Sequence, residues 1–139
     1  MSDKILLTGI SGWIAKHTAI ELLNSGYEVL GTVRNKNLIE QTKETISKYA
    51  SIGKLSFVEL DLVKDDGWNE AAKGCKYIFH IASPFPMKVS RNRESLLPPA
   101  VDGTLRVLKA GVNAGVEQII KTSSIVAMFR KPNRSNPYT

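Results

Sequence analysis

Gly9 and Gly12 stand three residues apart in TGISGWIA (8–15), directly after the apolar run KILLT and directly before a helical pattern. A turn built this way can hold a diphosphate. The first glycine permits a tight turn, and the second lets the backbone approach a pyrophosphate with no Cβ in the way. The helix start that follows supplies free N–H groups and the positive end of its dipole. Ala15 takes the third small position, where close packing of helix on strand limits side-chain size. Ser11, Trp13 and Ile14, the other residues of the turn, would lie along the same phosphates. The same spacing also occurs in turns set by packing alone, so its meaning depends on the elements around it. A second constellation is GTVRNKN (31–37), with Arg34 and Lys36 where a dinucleotide fold that reads NAD usually places a carboxylate for the ribose 2′-hydroxyl. A guanidinium there suits a 2′-phosphate, which points to NADP, NADPH being preferred over NADH. The bland alternative is a solvated loop arginine.

The elements that must position these residues alternate along the chain. KILLT (4–8), YEVLGTV (27–33), KLSFVEL (54–60), KYIFHIA (76–82) and VEQIIKTSS (116–124) are apolar or β-branched runs that predict five strands. Between them, helices are predicted over 12–25, 37–50, within 65–74, and in a long stretch from near Ser90 through AVDGTLRVLKAGVNAG. KYIFHIA is continuous enough to be buried on both faces. Strands and helices in this order imply βαβ units with right-handed crossovers, hence an α/β domain with a doubly wound parallel sheet of about five strands. The dinucleotide-binding domain is placed at 1–124. The tail 125–139, rich in Pro, Asn, Ser and basic residues, is expected to be a loop or frayed end.

Bulk composition narrows the classes. The 139 residues are 42% apolar and 23% charged, which suits a folded domain. No run approaches the roughly 20 apolar residues of a membrane span, and MSDKILLTG enters a strand pattern at once, so no membrane association and a cytoplasmic location are expected. The net charge of +6 is spread along the chain without a docking helix or interleaved aromatics, which argues against nucleic acid and equally favours a polyanionic cofactor. Cys75 is the single cysteine, expected as a small buried apolar side chain. With only His17 and His80 besides, no metal site is expected; His80, between Phe79 and Ile81, reads as a core histidine with a satisfied hydrogen bond.

Taken together, TGISGWIA, TVRN, LDL (60–62), FHIASP (79–84), AVDGTLRVLKA (100–110) and KTSS (121–124) resemble the N-terminal part of the extended short-chain dehydrogenases/reductases, closest to the dihydroflavonol reductase and cinnamoyl-CoA reductase group. The resemblance covers nearly the whole chain and implies a Rossmann-like fold, cut before the substrate domain. By this resemblance Asp61 and Leu62 contact the adenine, Ala82, Ser83 and Pro84 line the cofactor beyond the fourth strand, and Thr122 and Ser123 flank the nicotinamide side. Ser124 matches the serine that orients the substrate oxygen; its alternative is a strand-end serine capping a loop.

The family also uses a tyrosine as general acid and a lysine four residues later that lowers its pKa. That pair is not in this sequence: Tyr27, Tyr49 and Tyr77 are followed at that distance by Gly31, Gly53 and Ile81, and Tyr138 only by Thr139. An unassisted tyrosine, with a pKa of about 10, donates a proton poorly at neutral pH. The expected function is therefore the NADP(H)-binding domain of a carbonyl or aldehyde oxidoreductase, catalytically incomplete as it stands, whose full-length form takes a small-molecule carbonyl substrate. The alternative is a non-catalytic NADP(H)-binding sensor of the same fold; a methyltransferase-like domain fits less well, because Arg34 replaces its acidic strand end. Without a C-terminal region, apolar surface near the last strand would be open, and self-association is expected.

Overall fold

The computed structural model describes residues 2–83 and 97–125. KILLT forms β1 (Lys4–Thr8), followed by α1 (Trp13–Asn24), β2 (Glu28–Val33), a 3-10 turn (Lys36–Leu38) leading into α2 (Ile39–Ser47), β3 (Leu55–Glu59), α3 (Trp68–Ala72), β4 (Tyr77–His80), α4 (Leu97–Ala114) and β5 (Gln118–Lys121). These are the predicted elements: β1 keeps its predicted bounds, and the others are trimmed where their ends can be compared. Gly12 and Ser25 become the caps of α1. The expected helix over 37–50 divides at its start because Asn35 caps a separate turn, its side chain accepting the N–H of Asn37 at 2.9 Å. The expected start of the fourth helix near Ser90 lies outside the described residues. From Leu97 that helix runs unbroken, with Pro98 and Pro99 in its first turn, where an N–H would have no intrahelical acceptor.

The strands form one parallel sheet in the order β3-β2-β1-β4-β5. The chain winds outward from β1 to β3, then returns across β1 to build β4 and β5 on the other side. Connections after β1 and β4 therefore leave toward opposite faces, and a crevice opens between their carboxyl ends. Alternation along β1 feeds both faces. Ile5 and Leu7 join Ala15, Ala19, Ile20, Val29 and Ile46 in one core, and Leu6 joins Trp68, Ala72, Ile78, Val107 and Ala110 in the other. β4 departs from the expected two-sided burial: Ile78 and His80 are buried, while Tyr77 and Phe79 are partly covered.

Gly31 serves packing. It lies inside β2, where a Cβ would sit 2.4 Å from Cδ1 of Ile10, so its absence lets Ile10 of the glycine turn bury completely across the strand. Cys75 is buried as expected, its thiol donating to the Ala71 carbonyl, and burial pushes its pKa up. Among the described residues, β5 pairs only with β4, and Ile120 within it, Ile125 after it and Val112 on α4 are exposed. No helix among them is long and apolar enough to cross a membrane, and no three His, Cys, Asp or Glu side chains gather into a metal-binding group.

Candidate functional site

A cleft of about 600 Å³ opens at the carboxyl ends of the strands. Its floor is the glycine turn. Gly9 has φ +71°, and a Cβ on it would lie 2.9 Å from the Cβ of Ala82, so the turn after β1 is pressed directly against the segment after β4. The Gly9 N–H donates to the Thr32 hydroxyl at the end of β2, 3.0 Å away, and the Gly12 N–H returns to the Gly9 carbonyl at 2.9 Å. Gly12 caps α1 with extended backbone and no side-chain hydrogen bond. The amides of Trp13, Ile14 and Ala15 thus have no acceptor among the described residues, and all three residues line the cleft. Three donors at the positive end of a helix, with no Cβ at the cap, form an anion cradle.

The wall after β4 is held by a buried hydroxyl. Thr8 Oγ1 accepts the N–H of Ile81 at 3.1 Å and of Ala82 at 3.0 Å, and lies 2.9 Å from Nδ1 of His80. With its two lone pairs engaged, the hydroxyl has only its proton left to give, and that proton goes to Nδ1. His80 is therefore neutral, with its own proton on Nε2. Burial, helped by the Lys121 cation, lowers its pKa to about 4. The expectation of a satisfied core histidine matches this geometry, and the structure adds what it does: through Thr8 it orients Ile81 and Ala82, both of which line the cleft.

At the far end, the turn after β3 is tightly determined. The Asp61 carboxylate accepts the N–H of Val63 at 3.1 Å, and the indole N–H of Trp68 donates to the carbonyls of Asp61 at 3.3 Å and Lys64 at 3.1 Å. The Leu62 N–H and the second carboxylate oxygen of Asp61 have no partner among the described residues. A free donor next to a free acceptor, in a cleft, is the complement of the N1 and N6-amino edge of adenine. Between the two ends lies the loop after β2. Arg34 lines the cleft and is exposed, whereas Lys36 is exposed but outside the lining. Glu59, the acidic residue nearest the end of β2, accepts the Lys36 N–H at 2.9 Å.

The structure thus brings Gly9, Ser11, Gly12, Trp13, Ile14, Arg34, Asp61, Leu62, Ala82 and Ser83 to one cleft. Pro84 lies outside the described residues. Thr122, Ser123 and Ser124 follow β5 and are exposed, outside the lining; the Thr122 N–H donates to the His80 carbonyl at 3.1 Å. Thr32, Leu60, Val63, Trp68 and Ile81 complete the lining without having been singled out in the sequence. For Thr32 a signal existed, since it is a polar strand residue one step before the Val-Arg-Asn end.

Residues 5–139 match the profile of the NAD dependent epimerase/dehydratase family. Dihydroflavonol 4-reductase of Hordeum vulgare is 34% identical over 121 residues, which cover 86% of this chain and 34% of that protein. Cinnamoyl-CoA reductase 1 of Petunia hybrida is 37% identical over 138 residues, covering 94% of this chain and 38% of that one. Among solved structures, Gre2 of Candida albicans in complex with NADPH superposes with a TM-score of 0.76 at 32% identity, covering 90% of this chain and 38% of its own. The chain spans between 34% and 38% of the length of these proteins.

Proposed function

Because the chain belongs to the NAD dependent epimerase/dehydratase family, we propose that it binds NADP(H) as the cofactor-holding part of a reductase for small-molecule carbonyl compounds. The observation that carries this reading is the cleft itself: an anion cradle at the start of α1, an adenine-matching edge at Asp61 and Leu62, and Arg34 between them. The residues fit the cofactor along its length. Trp13, Ile14 and Ala15 would hold the pyrophosphate through their amides, Arg34 the 2′-phosphate, and Ala82 and Ser83 the path toward the nicotinamide. A nicotinamide cofactor bound there supplies a hydride to a carbonyl carbon. The preference for the phosphorylated form rests on Arg34, which lines the cleft after β2, whereas Glu59 does not line it. The lone, buried Cys75 suits a reducing compartment such as the cytoplasm.

Calorimetric titration with NADPH and NADH in parallel tests the assignment. NADPH is expected to bind more tightly, and Arg34→Ala to weaken NADPH by about 10- to 100-fold, the loss of one charge-assisted phosphate contact. NADH affinity should be unchanged in that variant. Equal binding of the two cofactors by the wild type would remove Arg34 from this role.

The chemistry stops short of turnover in this chain. By the family resemblance Ser124 would orient the substrate oxygen, but no tyrosine here has a lysine four residues on, and a general acid tuned toward neutral pH is worth about 10²- to 10⁴-fold in rate. Purified chain mixed with NADPH and a panel of aldehydes and ketones is expected to show no cofactor oxidation at 340 nm above the protein-free blank. Sustained oxidation would show that a different residue donates the proton.

A further inference from the structure

α4 reaches across the molecule to the turn that carries Asp61 and Leu62. The Arg106 side chain, largely buried, donates from Nη1 to the Leu62 carbonyl at 2.9 Å, and its Nε is paired with the Asp65 carboxylate. One turn earlier on the same face, Gly103 lets the helix lie flat, because a Cβ there would be 3.0 Å from Leu62 Cβ and 3.2 Å from its carbonyl oxygen. On the other side of the Leu62 Cα, the Asp61 carbonyl is engaged by the Trp68 indole and by the Lys64 N–H at 3.1 Å. In a trans peptide the C=O and N–H point in opposite directions. Holding the Asp61 carbonyl therefore aims the Leu62 N–H away from it, and holding the Leu62 carbonyl stops the next peptide from rotating and dragging that N–H with it.

We propose that Arg106 is a positioning residue for base recognition: from α4 it holds the Leu62 carbonyl, and so restrains the turn in which the Leu62 N–H and the Asp61 carboxylate read adenine in preference to a 6-oxo purine. This rests on the NADP(H) reading above and goes beyond it, since it concerns selection of the base, whereas the glycine turn and Arg34 are assigned there to phosphates. The chemistry of discrimination is simple. Adenine offers an acceptor at N1 and a donor at its 6-amino group, which match the Leu62 N–H and the Asp61 carboxylate. Hypoxanthine reverses both, with an N1–H donor and an O6 acceptor, and each would face a like partner. Such a reversal leaves both protein groups unpaired. The reversal is penalised only while the Leu62 N–H cannot turn away.

The test is the ratio of affinities for NADPH and its hypoxanthine analogue, measured on the same chain. Wild type is expected to favour NADPH by about 100-fold or more. Arg106→Ala should reduce that ratio about tenfold, one hydrogen bond to a charged group, mainly because the analogue is tolerated better. Asp65→Asn leaves the Leu62 contact in place but loosens the guanidinium; it sits on an exposed side chain and does not threaten folding, and the ratio should fall about threefold. A merely structural role would lower both affinities together and leave the ratio unchanged in both variants, which would overturn the proposal. So would a wild type that binds the two cofactors equally. Absence of NADPH binding by the wild type is a separate result; it refutes the functional assignment first, and this inference with it.

Discussion

Gly9→Ala is expected to cost the fold about 2 to 5 kcal/mol and to weaken NADPH binding at least tenfold. Two penalties add. A left-handed backbone at φ +71° costs a Cβ-bearing residue about 1–2 kcal/mol, and an added methyl 2.9 Å from the Ala82 Cβ overpacks a tight contact for about 1–3 kcal/mol more. The second penalty is relieved only by separating the turn after β1 from the segment after β4. That separation pulls the amides of the cradle away from Ala82 and Ser83, so stability and affinity fall together. Gly26→Ala is the control. Its φ is +89° but nothing lies within 4 Å of the new Cβ, so it carries the backbone penalty without the clash. Urea unfolding and calorimetry on both variants separate the effects: Gly26→Ala should lose about 1–2 kcal/mol and keep wild-type affinity. A Gly9→Ala protein that matches Gly26→Ala in both measurements would mean that the close approach to Ala82 contributes nothing.

The contrast between these glycines also shows what a sequence can carry. Gly9 and Gly12 were legible because their job is local: a turn between a strand and a helix has a fixed length, and both ends are marked by periodicity. β1 could be bounded to the residue for the same reason, since KILLT is flanked by charge on one side and glycine on the other. Arg34, Asp61 and Ala82 were legible as strand-end positions, and a parallel sheet gathers strand ends at one edge. The rest of the cleft depends on which strands become neighbours. Gly31 makes room for Ile10 only because β2 lies beside β1, although an isolated glycine inside a strand does signal a close approach. Trp68 reads in the sequence as one apolar residue of a short helix. That its indole N–H reaches the Asp61 and Lys64 carbonyls follows from how α3 docks on the turn after β3. Arg106 is less legible still, 44 residues from the carbonyl it holds. Its place on α4 predicts a solvated face, and only the packing of that helix against Leu62 turns it inward.

His80 makes the fold sensitive to acid in a window where most side chains are silent. In the unfolded chain it takes up a proton near pH 6.5; in the folded protein, burial and the Lys121 cation delay this to about pH 4. Between these values the unfolded state binds more protons, so stability rises with pH, and the contribution present above pH 6.5 is lost as the pH falls through 4. The shift corresponds to about 3 kcal/mol. The hydrogen bonds of the Thr8 hydroxyl act in the same direction as the burial and the Lys121 cation. A proton on Nδ1 would face the hydroxyl proton, and turning that hydroxyl around would take it from the Ile81 or Ala82 amide. Urea unfolding from pH 8 to pH 4 should show this loss in the wild type, on top of whatever the carboxylates contribute at the acid end. His80→Gln, with no titrating ring, should be less stable at neutral pH and lose about 3 kcal/mol less between pH 6.5 and 4. If both proteins show the same slope in that range, His80 is protonated in the fold as readily as in the unfolded chain, and the Thr8 hydroxyl does not hold it neutral.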